Sequence, residues 1–134
     1  MIVGILHLHK ALAYLVFLVA LANVVLALTS GRTDPRVAKV LKISHAAGLM
    51  GAGRLNLVLG IVLWVLLPYG LGTWWMWVTV LLWGPIEAVG KRLVKPEVQT
   101  VVDGGRGSSR LVMGTAVQLV CIVIIFGLMT VRPG

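Results

Sequence analysis

Acidic residues are nearly missing from this chain: Asp34, Glu87, Glu97 and Asp103 are the only four in 134 residues, against 12 lysines and arginines. Charge of either sign is scarce, at 12% of residues, where a soluble domain carries about 25%. So little charge cannot clothe a water-facing surface. With 59% hydrophobic residues and a mean hydropathy of +1.01, lipid has to do part of the solvating. Cysteine occurs once, at Cys121, which excludes an internal disulfide and reads as a small apolar packing residue. There is no Cys-x-x-Cys-His run, no zinc-type cluster and no Ser/His/Asp set. Covalent haem attachment, a structural metal and nucleophilic hydrolysis therefore have no basis, and a non-enzymatic role is expected. The net charge of +8 would suggest nucleic acid in a soluble protein. Here the basic residues flank apolar runs without any nucleic-acid motif, which fits a topology signal and a surface for anionic lipid headgroups.

What is present is a set of long apolar runs. They predict an all-α, integral membrane, four-helix up-and-down bundle, one transmembrane domain over residues 1–134 with spans at about 2–29, 43–67, 73–91 and 110–131. The first run continues too far, with no small-residue cleavage site, to read as a secretory signal peptide. Within it His9, Ala13, Val16, Ala20, Asn23 and Ala27 recur at helical spacing and form a small, slightly polar packing face. Asp34-Pro35 signals a helix start, and Val37–Lys42 is apolar and basic enough to lead into the second span.

The second span is the one expected at the centre of the bundle. Ser44 to Gly53 is crowded with small residues, and Arg54 and Asn56 follow. Those two side chains point about 200° apart on a helix. His45, Leu49, Ala52 and Asn56 make one stripe, and Ala47, Gly51, Arg54 and Val58 another. The short uncharged turn Pro68–Gly72 predicts that spans two and three pack side by side as an antiparallel hairpin. Trp64, Tyr69, Trp74, Trp75 and Trp77 around it read as an aromatic belt at headgroup level. Pro85 lies inside the third span, which should end before Pro96. Val94–Ser109 is then the longest connector, with Ser108 or Ser109 capping the fourth helix. Gly114, Gln118, Cys121 and Ile125 share one face of that helix.

Four spans put both termini on one side. The other side carries nine basic residues, Arg32, Arg36, Lys39, Lys42, Lys91, Arg92, Lys95, Arg106 and Arg110, against two, Lys10 and Arg132, on the terminal side. The positive-inside rule then places the basic loops in the cytoplasm and both termini outside, as for a protein of a bacterial inner membrane.

Polar residues inside the spans are the candidate functional groups. Asn23, Arg54, Asn56, Glu87 and Gln118 fall in the cytoplasmic half or near mid-membrane and form a candidate intramembrane network. An Arg54–Glu87 pair is expected, because either charge left alone in the bilayer costs a few kcal/mol. It reads as an interhelical bridge or as part of an ion or solute path. His7, His9 and His45, with Arg54, are candidate groups for haem b or a quinone. His7 and His9 open the first helix and His45 the second, at opposite faces, so about 30 Å of hydrocarbon should separate them. They cannot grip one iron within one chain.

The pattern Leu6-His7-Leu8-His9-Lys10 opening one span and Lys42-Ile43-Ser44-His45 opening the next resembles the SirB-like and b-type-cytochrome-like small four-helix membrane proteins. The resemblance covers about the first half of the chain and implies a redox or haem-related setting. The second half contains no histidine. Small multidrug exporters carry a glutamate in the first helix, which this chain lacks, and the paired-phenylalanine element of fluoride channels is missing, since Phe17 and Phe126 are the only phenylalanines. The leading expectation is a non-enzymatic accessory subunit of a larger respiratory or photosynthetic membrane complex, with lipid and other membrane subunits, or further copies of itself, as partners. A haem- or quinone-binding electron-transfer module, and a small transporter or channel using Arg54 and Glu87, are the alternatives.

Overall fold

A computed structural model describes residues 2–29, 33–66 and 74–131. They form four helices: α1 (Ile2–Leu28), α2 (Pro35–Leu66), α3 (74–102) and α4 (Ser109–Val131). Successive helices run antiparallel, so α1 begins and α4 ends at the same end of the bundle. Three are long and apolar enough to cross a membrane: Val3–Leu28, Pro35–Leu66 and Ser109–Thr130. α3 has the length, but Pro85, Glu87, Lys91, Arg92 and Lys95 dilute its apolar character. It is held in the bundle by packing along α4. Arg32, Tyr69, the turn Pro68–Gly72 and Arg132 lie outside the described residues.

The packing faces on α1 and α4 emerge as read. Val16, Ala20, Asn23 and Ala27 are buried, with His9 and Ala13 half-buried, while Leu8, Tyr14, Leu15, Leu18, Leu21, Val25 and Leu28 look outward. On α4, Gly114, Gln118 and Cys121 are buried and Ile125 half-buried, joined by Leu111, Thr115 and Ile122. Leucine and valine thus lie outside and small or polar residues inside, an arrangement compatible with a lipid solvent.

Helix ends differ from the expected spans where local chemistry extends them. Asp34 caps α2, its carboxylate accepting from Arg36 N at 2.9 Å, and Pro35 takes the first turn, where its missing N–H costs nothing. α2 thus starts at Pro35 rather than near Ile43, and at 32 residues its length of about 48 Å exceeds a hydrocarbon core of about 30 Å. α3 does not stop before Pro96. A wide π-helical turn, Gly90–Val94, precedes the proline, which enters the first turn of the next α segment, Lys95–Val102. The connector expected over Val94–Ser109 shrinks to residues 103–108. α3 ends in a Schellman motif: Gly104 sits at φ +92°, Gly105 N donates to Thr100 O at 2.8 Å, and Gly104 N donates to Val101 O at 3.0 Å. Ser108 Oγ then accepts from Arg110 N at 3.2 Å and starts α4.

α2 is not the central helix. α1 packs most extensively against α2 and α4 against α3, and the α1–α4 contact joins the two pairs. Of the two stripes on α2, His45, Leu49, Ala52 and Asn56 face the bundle, whereas Ala47, Gly51, Arg54 and Val58 are exposed. The expected side-by-side hairpin of α2 and α3 is also absent over most of their length. The two meet at the basic end, where 35–43 packs on 95–102 and Lys42 Nζ donates to Gln99 Oε1 at 2.8 Å. Toward the other end their backbones diverge, bridged by two aromatic contacts: the Trp83 ring against Gly53, and Trp64 edge-on to Trp77 at 5.1 Å between centroids. Indoles act here as spacers. Trp64 and Trp75 accordingly turn inward into a core cluster with Met76, and among the described residues of the expected belt Trp74 and Trp77 are exposed.

Candidate functional site

The polar side chains in the spans do not form one network. They sort into three separate places.

The first is on the outside of the bundle. Arg54 meets Glu87 in a two-pronged ion pair, Nε to Oε1 at 2.7 Å and Nη2 to Oε2 at 2.8 Å. Trp83 Nε1 donates to Glu87 Oε1 at 2.9 Å. The pairing expected from depth is present, but its side chains are 61% and 34% exposed rather than sunk between helices. The indole donor was legible only in hindsight, as a Trp one helical turn before Glu87.

The second is the buried core near the basic end. Ser44 Oγ donates to Asn23 Oδ1 at 2.6 Å, joining α2 to α1. Gln118 Nε2 on α4 donates to His45 Nε2 and to the carbonyl of Ile86, each at 3.1 Å, joining α4 to α2 and α3. Acceptance at Nε2 places the ring proton of His45 on Nδ1. His45 and Gly90 both lie in π-helical segments, a local geometry frequent at functional sites. Gly90 is there for room: a Cβ would stand 2.8 Å from Gln118 Nε2 and 3.2 Å from His45 Nε2. Because α2 starts at Pro35, His45 is ten residues inside it and buried, not at a hydrated helix start.

The third is a cavity of about 480 Å³ between the diverging halves of α2 and α3, walled at the back by α1 and α4. Trp83 over Gly53 lies at one end, and Trp64, Trp75 and Met129 at the other. Its lining is largely apolar and aromatic, with His9, Lys10, Asn56, Thr79, Thr130 and the phenol of Tyr14 as the polar exceptions. His9 packs over Gly60 beside Asn56. His7, two residues away, faces outward. The level of Asn56 is eleven residues along α2 from His45, roughly 17 Å. This is closer than the expected bilayer thickness and still too far for the two histidines to share an iron. Neither Arg54 nor Glu87 lines the cavity. Among the described residues no three His, Cys, Asp or Glu side chains converge to hold a metal ion.

Fold and site together define a small all-α bundle with an apolar exterior, an external ion pair and an internal aromatic cavity. The chain matches no protein-family model, no curated protein and no solved structure.

Proposed function

We propose that this chain is a non-catalytic subunit of a larger membrane assembly of the respiratory or photosynthetic kind, spanning a bacterial inner membrane with its basic loops in the cytoplasm. The observation that carries the reading is the outward Arg54–Glu87 pair. Arg54 stands one residue from Gly53 near the middle of α2's apolar run, and it shares its exposed face with Ala47, Gly51 and Val58. A charged pair facing hydrocarbon is unfavourable even when paired, because its outer hydrogen-bonding positions have no water. A second helix laid against this small-residue face brings its backbone close and supplies those partners. The exposed apolar surface of α1, from Leu8 to Leu28, meets lipid.

The test is purification from the native membrane in mild detergent, with a visible spectrum and identification of co-purifying chains. The expected result is a defined larger species that loses its partner when Arg54 and Glu87 are both replaced by leucine. A lone monomer under gentle conditions overturns the reading.

A further inference from the structure

We propose that the cavity between α2 and α3 is a binding site for a hydroquinone-class amphiphile, held by its hydroxyl at His9 and Asn56. Three observations carry this. The volume, about 480 Å³, falls within the roughly 300–1,000 Å³ of sites that enclose small organic ligands. The walls include the rings of Trp64, Trp75, Trp83 and Phe126, surfaces that favour a flat ring over a flexible chain. The polar corner is under-satisfied: His9 and Asn56 lie within interaction range of each other, but neither Nδ1 nor Oδ1, both cut off from solvent, makes a well-formed hydrogen bond.

Those two atoms specify the head. Asn56 Oδ1 can only accept, and His9 Nδ1 donates or accepts according to tautomer. A hydroxyl both donates and accepts and so answers either atom. A carboxylate brings no proton to Asn56 Oδ1. Lys10, the one cation on the lining, is itself exposed and keeps its ammonium in water. Depth agrees with an amphiphile resident in the membrane. Gly60, beneath His9, lies six residues from Leu66, so the corner is about 9 Å inside the end of α2. The lining continues from Gly60 to Gly53, giving about 10 Å of helix along which a ring and the start of a tail can lie.

The test uses the purified full chain in phosphatidylcholine nanodiscs. It is titrated anaerobically with decyl-substituted dimethoxymethylhydroquinone while tryptophan fluorescence is followed, since three of the five tryptophans line the cavity. Expected is a saturable change, weakened about tenfold by Asn56→Leu or His9→Leu and equally by using the dimethyl ether of the probe, which cannot donate. The ether comparison needs only the natural protein, so a variant that fails to fold leaves the decision intact. A linear, non-saturating response like that of tryptophan octyl ester in protein-free nanodiscs overturns the proposal. So does equal binding of hydroquinone and ether. The measurement is made on the isolated chain and is independent of whether a partner subunit exists.

Discussion

The amide of Gln118 bridges three helices by donating at once to His45 Nε2 and to the Ile86 carbonyl, in the space left by the absent side chain of Gly90. Gly90→Ala therefore brings a methyl within 2.8 Å of that amide. The expected cost is about 1–3 kcal/mol of overpacking, read as a lowered midpoint in thermal unfolding in detergent. Gln118→Leu removes the donor instead, leaving the buried His45 nitrogen without its partner, and should cost a similar ~1–3 kcal/mol. Because both act on one cluster, the double variant should cost less than the sum.

Arg54 and Glu87 should behave as a pair. Arg54→Leu alone strands Glu87 on an apolar surface and is expected to destabilise the bundle by about 2–3 kcal/mol. Adding Glu87→Leu removes the stranded charge and should restore most of that loss. Reversible unfolding of the four proteins in bicelles closes the cycle, and no recovery in the double variant would show that the two side chains do not depend on each other.

Trp83 ties the ion pair to the cavity end, since its ring lies on Gly53 and its Nε1 donates to Glu87. Trp83→Phe keeps the spacer and loses the hydrogen bond, for about 0.5–1.5 kcal/mol. Gly53→Leu instead forces the ring out of place. A shifted tryptophan emission maximum, with helical content unchanged by circular dichroism, is the expected signature.

The proposed sidedness rests on the distribution of lysine and arginine. In a Cys121→Ala background, a cysteine placed at Gly107 should resist a membrane-impermeant maleimide in intact cells, and one placed at Val3 should react. Cys121 itself, buried on α4, should react slowly even in detergent.

Periodicity made the faces of α1 and α4 legible, because small and polar residues recur every three or four positions there and nothing competes with them. The depth of Arg54 and Glu87 was enough to pair them. What the sequence hid was rotation about the helix axes. On α2 two stripes were equally polar, and only packing shows that the one with Asn56 turns inward and the one with Arg54 outward. The run past Pro96 was hidden for another reason: proline stops a helix by crowding the preceding turn, and the π-turn at Gly90–Val94 provides the room. The divergence of α2 and α3 could not be read because it depends on an indole meeting a glycine across two helices. Trp83 and Gly53 are 30 residues apart in sequence.

At the basic end α2 and α3 continue side by side as one seamed stub, pinned by Lys42 to Gln99 and finished sharply at Gly104. For a chain of 14.4 kDa, too small to align by itself in single-particle images, that stub is a mast. A rigid domain spliced into the 103–108 loop in helical register with Val102 would turn with the bundle and make its orientation visible.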